Sequence, residues 1–244
     1  MFIEIDEKKL LKLYVNCYGE GDPTVVFESG LGCPHDDWKI VQNRISEHTR
    51  TFSYDRAGLG NSDKGDSPRT SLAQVHELHT ALNKANVKAP YIIVAHSIGG
   101  YNARLFAGTY PEEVSGIIFL DCSHENQFED MAKRFSVNEL ETIKSQLIDA
   151  EQTFDELLIS AKQIKEIRKK DALRSIPIIV LTADHKGEES AALPQETWLN
   201  YQNDLATLSN YSKHIIVEDC GHYIQKDKPQ VVIDVITELI NEIK

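Results

Sequence analysis

A run of aliphatic residues, Tyr91-Ile92-Ile93-Val94-Ala95-His96, stops abruptly at Ser97, and Ile98-Gly99-Gly100 leads at once into Tyr101-Asn102-Ala103-Arg104-Leu105-Phe106-Ala107. The first stretch reads as a buried strand, and the last has helical spacing. A serine therefore stands at a turn with no room to relax. Strand and helix nearly touch at such a bend, so the positions two residues to either side must be small. They are Ala95 and Gly99.

Two more strand-to-loop transitions precede this one, and a third follows it. Thr24-Val25-Val26-Phe27 runs into the glycine-rich loop Glu28-Ser29-Gly30-Leu31-Gly32-Cys33, and Thr51-Phe52-Ser53-Tyr54 runs into Asp55-Arg56-Ala57-Gly58-Leu59-Gly60-Asn61-Ser62. Near the end, His214-Ile215-Ile216-Val217 delivers Glu218-Asp219-Cys220-Gly221-His222. In this order the motifs resemble those of the α/β-hydrolase family, and the resemblance covers nearly the whole chain. Ala95 to Gly99 is similar to its G-x-S-x-G elbow, with alanine at the first glycine as in some lipases of that fold. Asp55 to Ser62 is similar to its D-x-R-G-x-G-x-S turn, where the expected role of Asp55 and Arg56 is to tie down the loop as a pair. Contact between Arg56 and substrate is the lesser alternative.

The resemblance implies a mostly parallel central sheet flanked by helices. It implies Ser97 as nucleophile, His222 as the base that activates it, and the backbone amides of Leu31 and Ile98 as an oxyanion hole. His96 adjoins Ser97, but adjacent side chains at an elbow point apart, so it is expected to pack or orient. His124 is placed to line a pocket. The acid that holds the base has two candidates. The usual family acid follows the seventh strand, and matching Ile178-Ile179-Val180-Leu181 to that pattern sets Lys186 at the acid position, two residues beyond Asp184. A second group, including some haloalkane dehalogenases, keeps its acid after the sixth strand, where this chain has Asp121 after Val114 to Leu120. Asp121 is preferred and Asp184 is the alternative; a helix cap is the plain structural role for Asp121.

Elsewhere the pattern is of ordinary elements. Residues Met1 to Tyr18 alternate apolar and polar side chains around a break at Glu7-Lys8-Lys9, which predicts an antiparallel hairpin at a sheet edge. Helices are expected over Asp37 to Ile45, Thr70 to Asn86, Gln195 to Leu208 and Pro229 to Ile243. His76 and His79 on the second of these lack the carboxylate of a metal motif and read as surface residues. From Cys122 to Ser175 strand patterns vanish and no glycine or proline occurs. An insertion after the sixth strand forms a helical cap in the family, which implies a core of residues 1–121 and 176–244 and a cap of 122–175. Within it Lys162 to Lys170 reads as a solvated helix face.

The chain has 244 residues, the size of one α/β domain, and a net charge of -12. No basic patch offsets that charge, which argues against nucleic acid or an anionic membrane surface as partner. Carboxylates near the N-terminus and the lack of a long apolar run predict a cytoplasmic protein. Four scattered cysteines form no C-x-x-C pair, so neither a disulfide framework nor a zinc site is expected. The function that follows is a serine hydrolase acting on a small carboxylic ester or related acyl substrate, with no cofactor. The alternatives are a ligand receptor of the same fold, or a cofactor-free haloperoxidase or acyltransferase.

Overall fold

The computed structural model describes residues 1–6, 10–146, 151–184 and 193–243. The hairpin break at Glu7-Lys8-Lys9, and the positions Lys186 and Gly187, lie outside them. The strands are β1 (Phe2–Asp6), β2 (Leu11–Tyr18), β3 (Thr24–Glu28), β4 (Thr51–Tyr54), β5 (Tyr91–His96), β6 (Val114–Leu120), β7 (Ile178–Ala183) and β8 (Ser212–Val217). They form one sheet in the order β1-β2-β4-β3-β5-β6-β7-β8. β1 and β2 pair antiparallel at the edge, β2 meets β4 antiparallel, and every pairing from β4 to β8 is parallel.

Helices cover both faces, which is why the central strands are buried almost throughout and mostly apolar. They are α1 (Lys39–Ile45), α2 (Ser71–Lys84), α3 (Gly99–Thr109), α4 (Gln127–Arg134), α5 (Val137–Gln146), α6 (Phe154–Lys169), α7 (Gln195–Ala206), α8 (Ile224–Asp227) and α9 (Pro229–Ile243). Alternate residues of β5 serve opposite cores. Ile92 and Val94 pack with Trp38, Val41 and Ile45 and with Val232, Ile236 and Leu239 of α9. Ile93 and Ala95 pack with Val75, Leu78, Tyr101 and Phe106 from α2 and α3. The apolar residues of α9 recur every three or four positions, so one face is buried and the other is wet.

Segment 122–175 contributes α4, α5 and α6. α6 opens on a capping box, Thr153 with Glu156, and buries Leu157, Ala161 and Ile164 in the core that α2 and α3 share. Ser160 Oγ accepts from the Ser71 amide at 2.9 Å, and Glu156 Oε1 accepts from the Arg69 amide at 2.5 Å. Within the run Lys162 to Lys170, Lys165 pairs with Glu129 while Arg168 pairs with Glu125 and Asp204. α4 buries Phe128 and Met131, whereas α5 leaves Val137 exposed. On α2, His76 is exposed, but His79 is half-buried and stacked on Tyr110 with ring centres 3.8 Å apart.

The tight bend anticipated after β5 is present. A Cβ built on Gly99 would lie 2.6 Å from the Glu28 carbonyl oxygen and 2.7 Å from that of Ser29, both backbone atoms of the β3 end. Neither can give way without moving the strand. Gly99→Ala is expected to destabilise the fold by roughly 2–4 kcal/mol, in the range of severe overpacking. Urea denaturation of parent and variant checks this, and a change within 0.5 kcal/mol, the size of a neutral surface substitution, would contradict it.

Candidate active site

Parallel register aligns the strand ends that carry the site. Glu28 pairs with Ala95, and His96 pairs with Leu120, so the loops after β3, β5 and β6 leave the sheet side by side. Ser97 takes a φ of 54°, a left-handed conformation that costs an L-residue about 1–2 kcal/mol. Three backbone hydrogen bonds hold it there. Its amide donates to Leu120 O at 3.1 Å, and its carbonyl accepts from Gly100 at 3.1 Å and from Ser123 at 2.9 Å. Among the described residues, neither the Leu31 nor the Ile98 amide donates to a protein acceptor. Ile98 immediately precedes α3, so its N–H lies at the positive end of that helix.

His222 lies in the loop after β8. Its Nδ1 donates to Asp121 Oδ2 at 2.7 Å, an arrangement that leaves Nε2 as the basic nitrogen of the neutral ring. Asp121 is fully buried and has a φ of 47°, which aspartate tolerates better than most residues. Its other oxygen, Oδ1, accepts from Trp198 Nε1 at 2.8 Å and from the Ala183 amide at 3.3 Å. These donors offset the cost of burying the carboxylate. The sequence placed Trp198 on a helix but gave no hint of this bond.

Asp184, the alternative acid, sits at the end of β7 and engages backbone. Its Oδ2 accepts from the Asp219 amide at 3.1 Å and its Oδ1 from the Cys220 amide at 3.2 Å. It therefore braces the loop that carries His222, while Asp121 meets the ring.

His96 is buried, and its Nε2 donates to the backbone carbonyl of His222 at 2.9 Å. The two imidazole centres are 4.6 Å apart. Its Nδ1 has no protein partner among the described residues and faces Gly30, where a Cβ would come within 2.8 Å of it. Burial, and next the nearby His222, lower the His96 pKa to about 3. It is a neutral fastener between elbow and base loop, in keeping with the orienting role expected of it.

Asp55 and Arg56 both fix their loop, though not as a pair. Asp55 Oδ1 accepts from the backbone amide of His35 at 2.8 Å and from His35 Nδ1 at 2.7 Å, while Oδ2 accepts from the Asn61 amide at 2.9 Å. Arg56 turns the other way, to Glu28, Glu151 and the carbonyls of Ser29 and Gly30. His124 lies against the helix layer, stacked on Tyr201 at 4.4 Å and bonded to Asp204 at 2.8 Å. His124, Glu125 and Asp204 offer ligand atoms within 4.8 Å of one another. Glu125 already pairs with Arg104 and Arg168, and Asp204 with Arg168, so their charge is matched within the protein.

The model of the α/β-hydrolase fold matches residues 23–176. The chain belongs to the α/β-hydrolase family. Among relatives of this hydrolase, the uncharacterized protein YqjL of Bacillus subtilis (strain 168) is 32% identical over 216 residues, covering 88% of this chain and 82% of that one. The pimeloyl-[acyl-carrier protein] methyl ester esterase of Yersinia enterocolitica is 32% identical over 112 residues, 46% of this chain and 41% of that one. Among solved structures, a thermophilic esterase from Thermogutta terrifontis superposes with a TM-score of 0.69 at 17% identity, covering 96% of this chain and 94% of that one. No helix among the described residues of the hydrolase is long and apolar enough to cross a membrane.

The low pKa of His96 has a consequence for stability. An unfolded histidine takes up a proton near pH 6.5, whereas folded His96 refuses one until about pH 3. Between those values the unfolded chain binds more protons, so this group's contribution falls as pH falls, by about 1.4 kcal/mol per pH unit. Urea unfolding of the parent is expected to lose that much more per unit from pH 6 to pH 4 than unfolding of His96→Asn. Parallel pH curves would show that His96 titrates normally.

Proposed function

We propose that this α/β-hydrolase is a serine hydrolase that cleaves a small carboxylic ester or related acyl substrate through an acyl-enzyme. The observation that carries the reading is the bond from His222 Nδ1 to Asp121 Oδ2, which fixes the tautomer needed of a base next to an elbow serine. Ser97 Oγ attacks the carbonyl carbon while His222 Nε2 takes its proton. Asp121 stabilises the imidazolium that results. The amides of Leu31 and Ile98 donate to the oxyanion, and both are free of protein acceptors among the described residues. The protonated His222 then gives its proton to the leaving alkoxide, and a water activated by the same nitrogen releases the acid.

The serine argues for acyl chemistry over displacement at carbon, which calls for a carboxylate nucleophile. The likeness to a methyl ester esterase points the same way. Segment 122–175 acts as the cap in this reading and supplies walls of the acyl pocket. Its first residues support that, since the Ser123 amide bonds the Ser97 carbonyl at 2.9 Å.

Release of p-nitrophenol from short-chain esters tests the assignment. Ser97→Ala is expected to abolish the burst and reduce turnover to background, and Asp121→Asn to lower kcat by about 10³–10⁴. Asp184→Asn should cost far less. If it were the crippled variant and Asp121→Asn were not, the acid would be Asp184. A stable parent inactive on every ester would instead favour a ligand receptor.

Trp198→Phe keeps the ring and removes only the N–H on Asp121. The loss of a hydrogen bond to a buried carboxylate, about 1.5–3 kcal/mol, should lower kcat roughly 10- to 100-fold with KM little changed. An unchanged kcat would show that the indole only packs.

A further inference from the structure

Arg56 is one of the largest fully buried side chains, and each of its three nitrogens donates at least one hydrogen bond. Nε donates to Glu151 Oε1 at 2.8 Å, and Nη1 donates to Glu28 Oε1 at 2.8 Å and to Ser29 O at 2.7 Å. Nη2 donates to Gly30 O at 2.5 Å and lies 2.7 Å from Glu151 Oε1. Burial alone would lower its pKa, but the Glu151 and Glu28 carboxylates outweigh that and raise it, so the side chain stays charged. Glu28 is itself held by Tyr54 at 2.7 Å and by Asn102 of α3 at 2.8 Å.

The peptide joining Gly30 to Leu31 shows what this arrangement does. In a trans peptide the C=O and the following N–H are coplanar and point in opposite directions. Fixing the Gly30 oxygen on the guanidinium therefore directs the Leu31 N–H away from Arg56. Holding the Ser29 carbonyl as well removes the rotation that would let this peptide flip. The guanidinium is held in turn by Glu151, which lies 95 residues along the chain in segment 122–175.

We infer that Arg56 is a positioning residue that aims the Leu31 amide at the oxyanion, and that Glu151 holds Arg56 in place, so the oxyanion hole is aligned only while that part of the inserted segment is seated. This rests on the proposed role of Leu31 in the hydrolase reading above. It gives the insertion a task beyond walling the pocket, since seating of its Glu151 end aligns the amide. Lysine cannot replace Arg56 here, because an ammonium lacks the planar fork that reaches two carbonyls and two carboxylates together.

The test uses Glu151→Gln, which keeps the shape and one acceptor and leaves Arg56 paired with Glu28. Two readouts are taken on the full chain. The first is hydrogen exchange in peptides covering residues 28–34, where the Cys33 amide donates to Gly30 O at 3.1 Å and reports on the loop. The second is kcat and KM on a short p-nitrophenyl ester. Exchange in 28–34 should rise in Glu151→Gln while that of α9 stays unchanged, and kcat should fall about tenfold with KM within about twofold, a partial loss of the 10²–10³ that one oxyanion donor supplies. Arg56→Lys should fall by about 100-fold, close to the loss of the donor itself.

Unchanged exchange in 28–34 would overturn the inference whatever happened to kcat. Raised exchange with unchanged kcat would overturn it too, since the loop would then move without consequence for the oxyanion. A parent inactive on all esters would instead remove the hydrolase reading, and the exchange data alone would then decide whether Glu151 governs the loop.

Discussion

The parallel register of β3, β5 and β6 is the constraint on which the rest depends. With Glu28 beside Ala95 and His96 beside Leu120, the strands end flush, and the chain must leave all three at one edge. Ligands of open α/β sheets bind at such carboxyl ends for this reason. The bend at Ser97 then presses α3 onto the end of β3, so closely that only a glycine fits at position 99. That same contact lays Glu28 and Ser29, where the glycine-rich loop begins, against the first turn of α3. A single close approach of backbone to backbone thus sets the elbow against the start of the loop that carries Leu31.

Charge is buried around this edge in two different ways. Asp121 is solvated by an indole N–H, a backbone amide and the ring of His222, so one carboxylate is stabilised by donors that can serve it whether or not the imidazole is charged. Arg56 is balanced by two carboxylates and by carbonyls, with no titrating partner in the reaction. The first arrangement suits a group that must follow a proton, and the second suits one that must not move. Removing the arginine would strand two carboxylates in the core, at a cost of several kcal/mol.

Much of this was legible in the sequence. β4, β6 and α9 lie where the residues place them, because β4 and β6 are short buried segments rich in β-branched and aromatic residues and α9 has a clean helical period. β8 begins at Ser212, two residues earlier than expected, since an edge strand can carry Ser212 and Lys213 facing water. α7 ends at Ala206, before Leu208, for want of any stop residue to mark its end. The elbow, the glycine-rich loop and the late histidine were readable because each needs a distinctive local composition. Trp198 and Glu151 were not. Their partners lie 77 and 95 residues away, and nothing local distinguishes an indole that bonds a carboxylate from one that fills a core.

The choice of acid shows why spacing left two candidates. Asp121 and Asp184 end neighbouring parallel strands, and their amides make equivalent bonds, Asp121 to Leu181 O and Asp184 to Val217 O. Spacing alone brings both to the same edge, one strand apart. What separates them is how the His222 loop crosses that edge, with its ring over β6 and its backbone over β7. The histidine is consequently held three times: by Asp121 on the ring, by His96 on its own carbonyl, and by Asp184 on the amides of Asp219 and Cys220. Each contact removes a different freedom, namely ring rotation, sliding of the loop along the sheet, and lifting of the turn away from it. In the reaction proposed above, a base so restrained would have little entropy left to lose on meeting the serine, and the second carboxylate would contribute to that restraint without touching the proton.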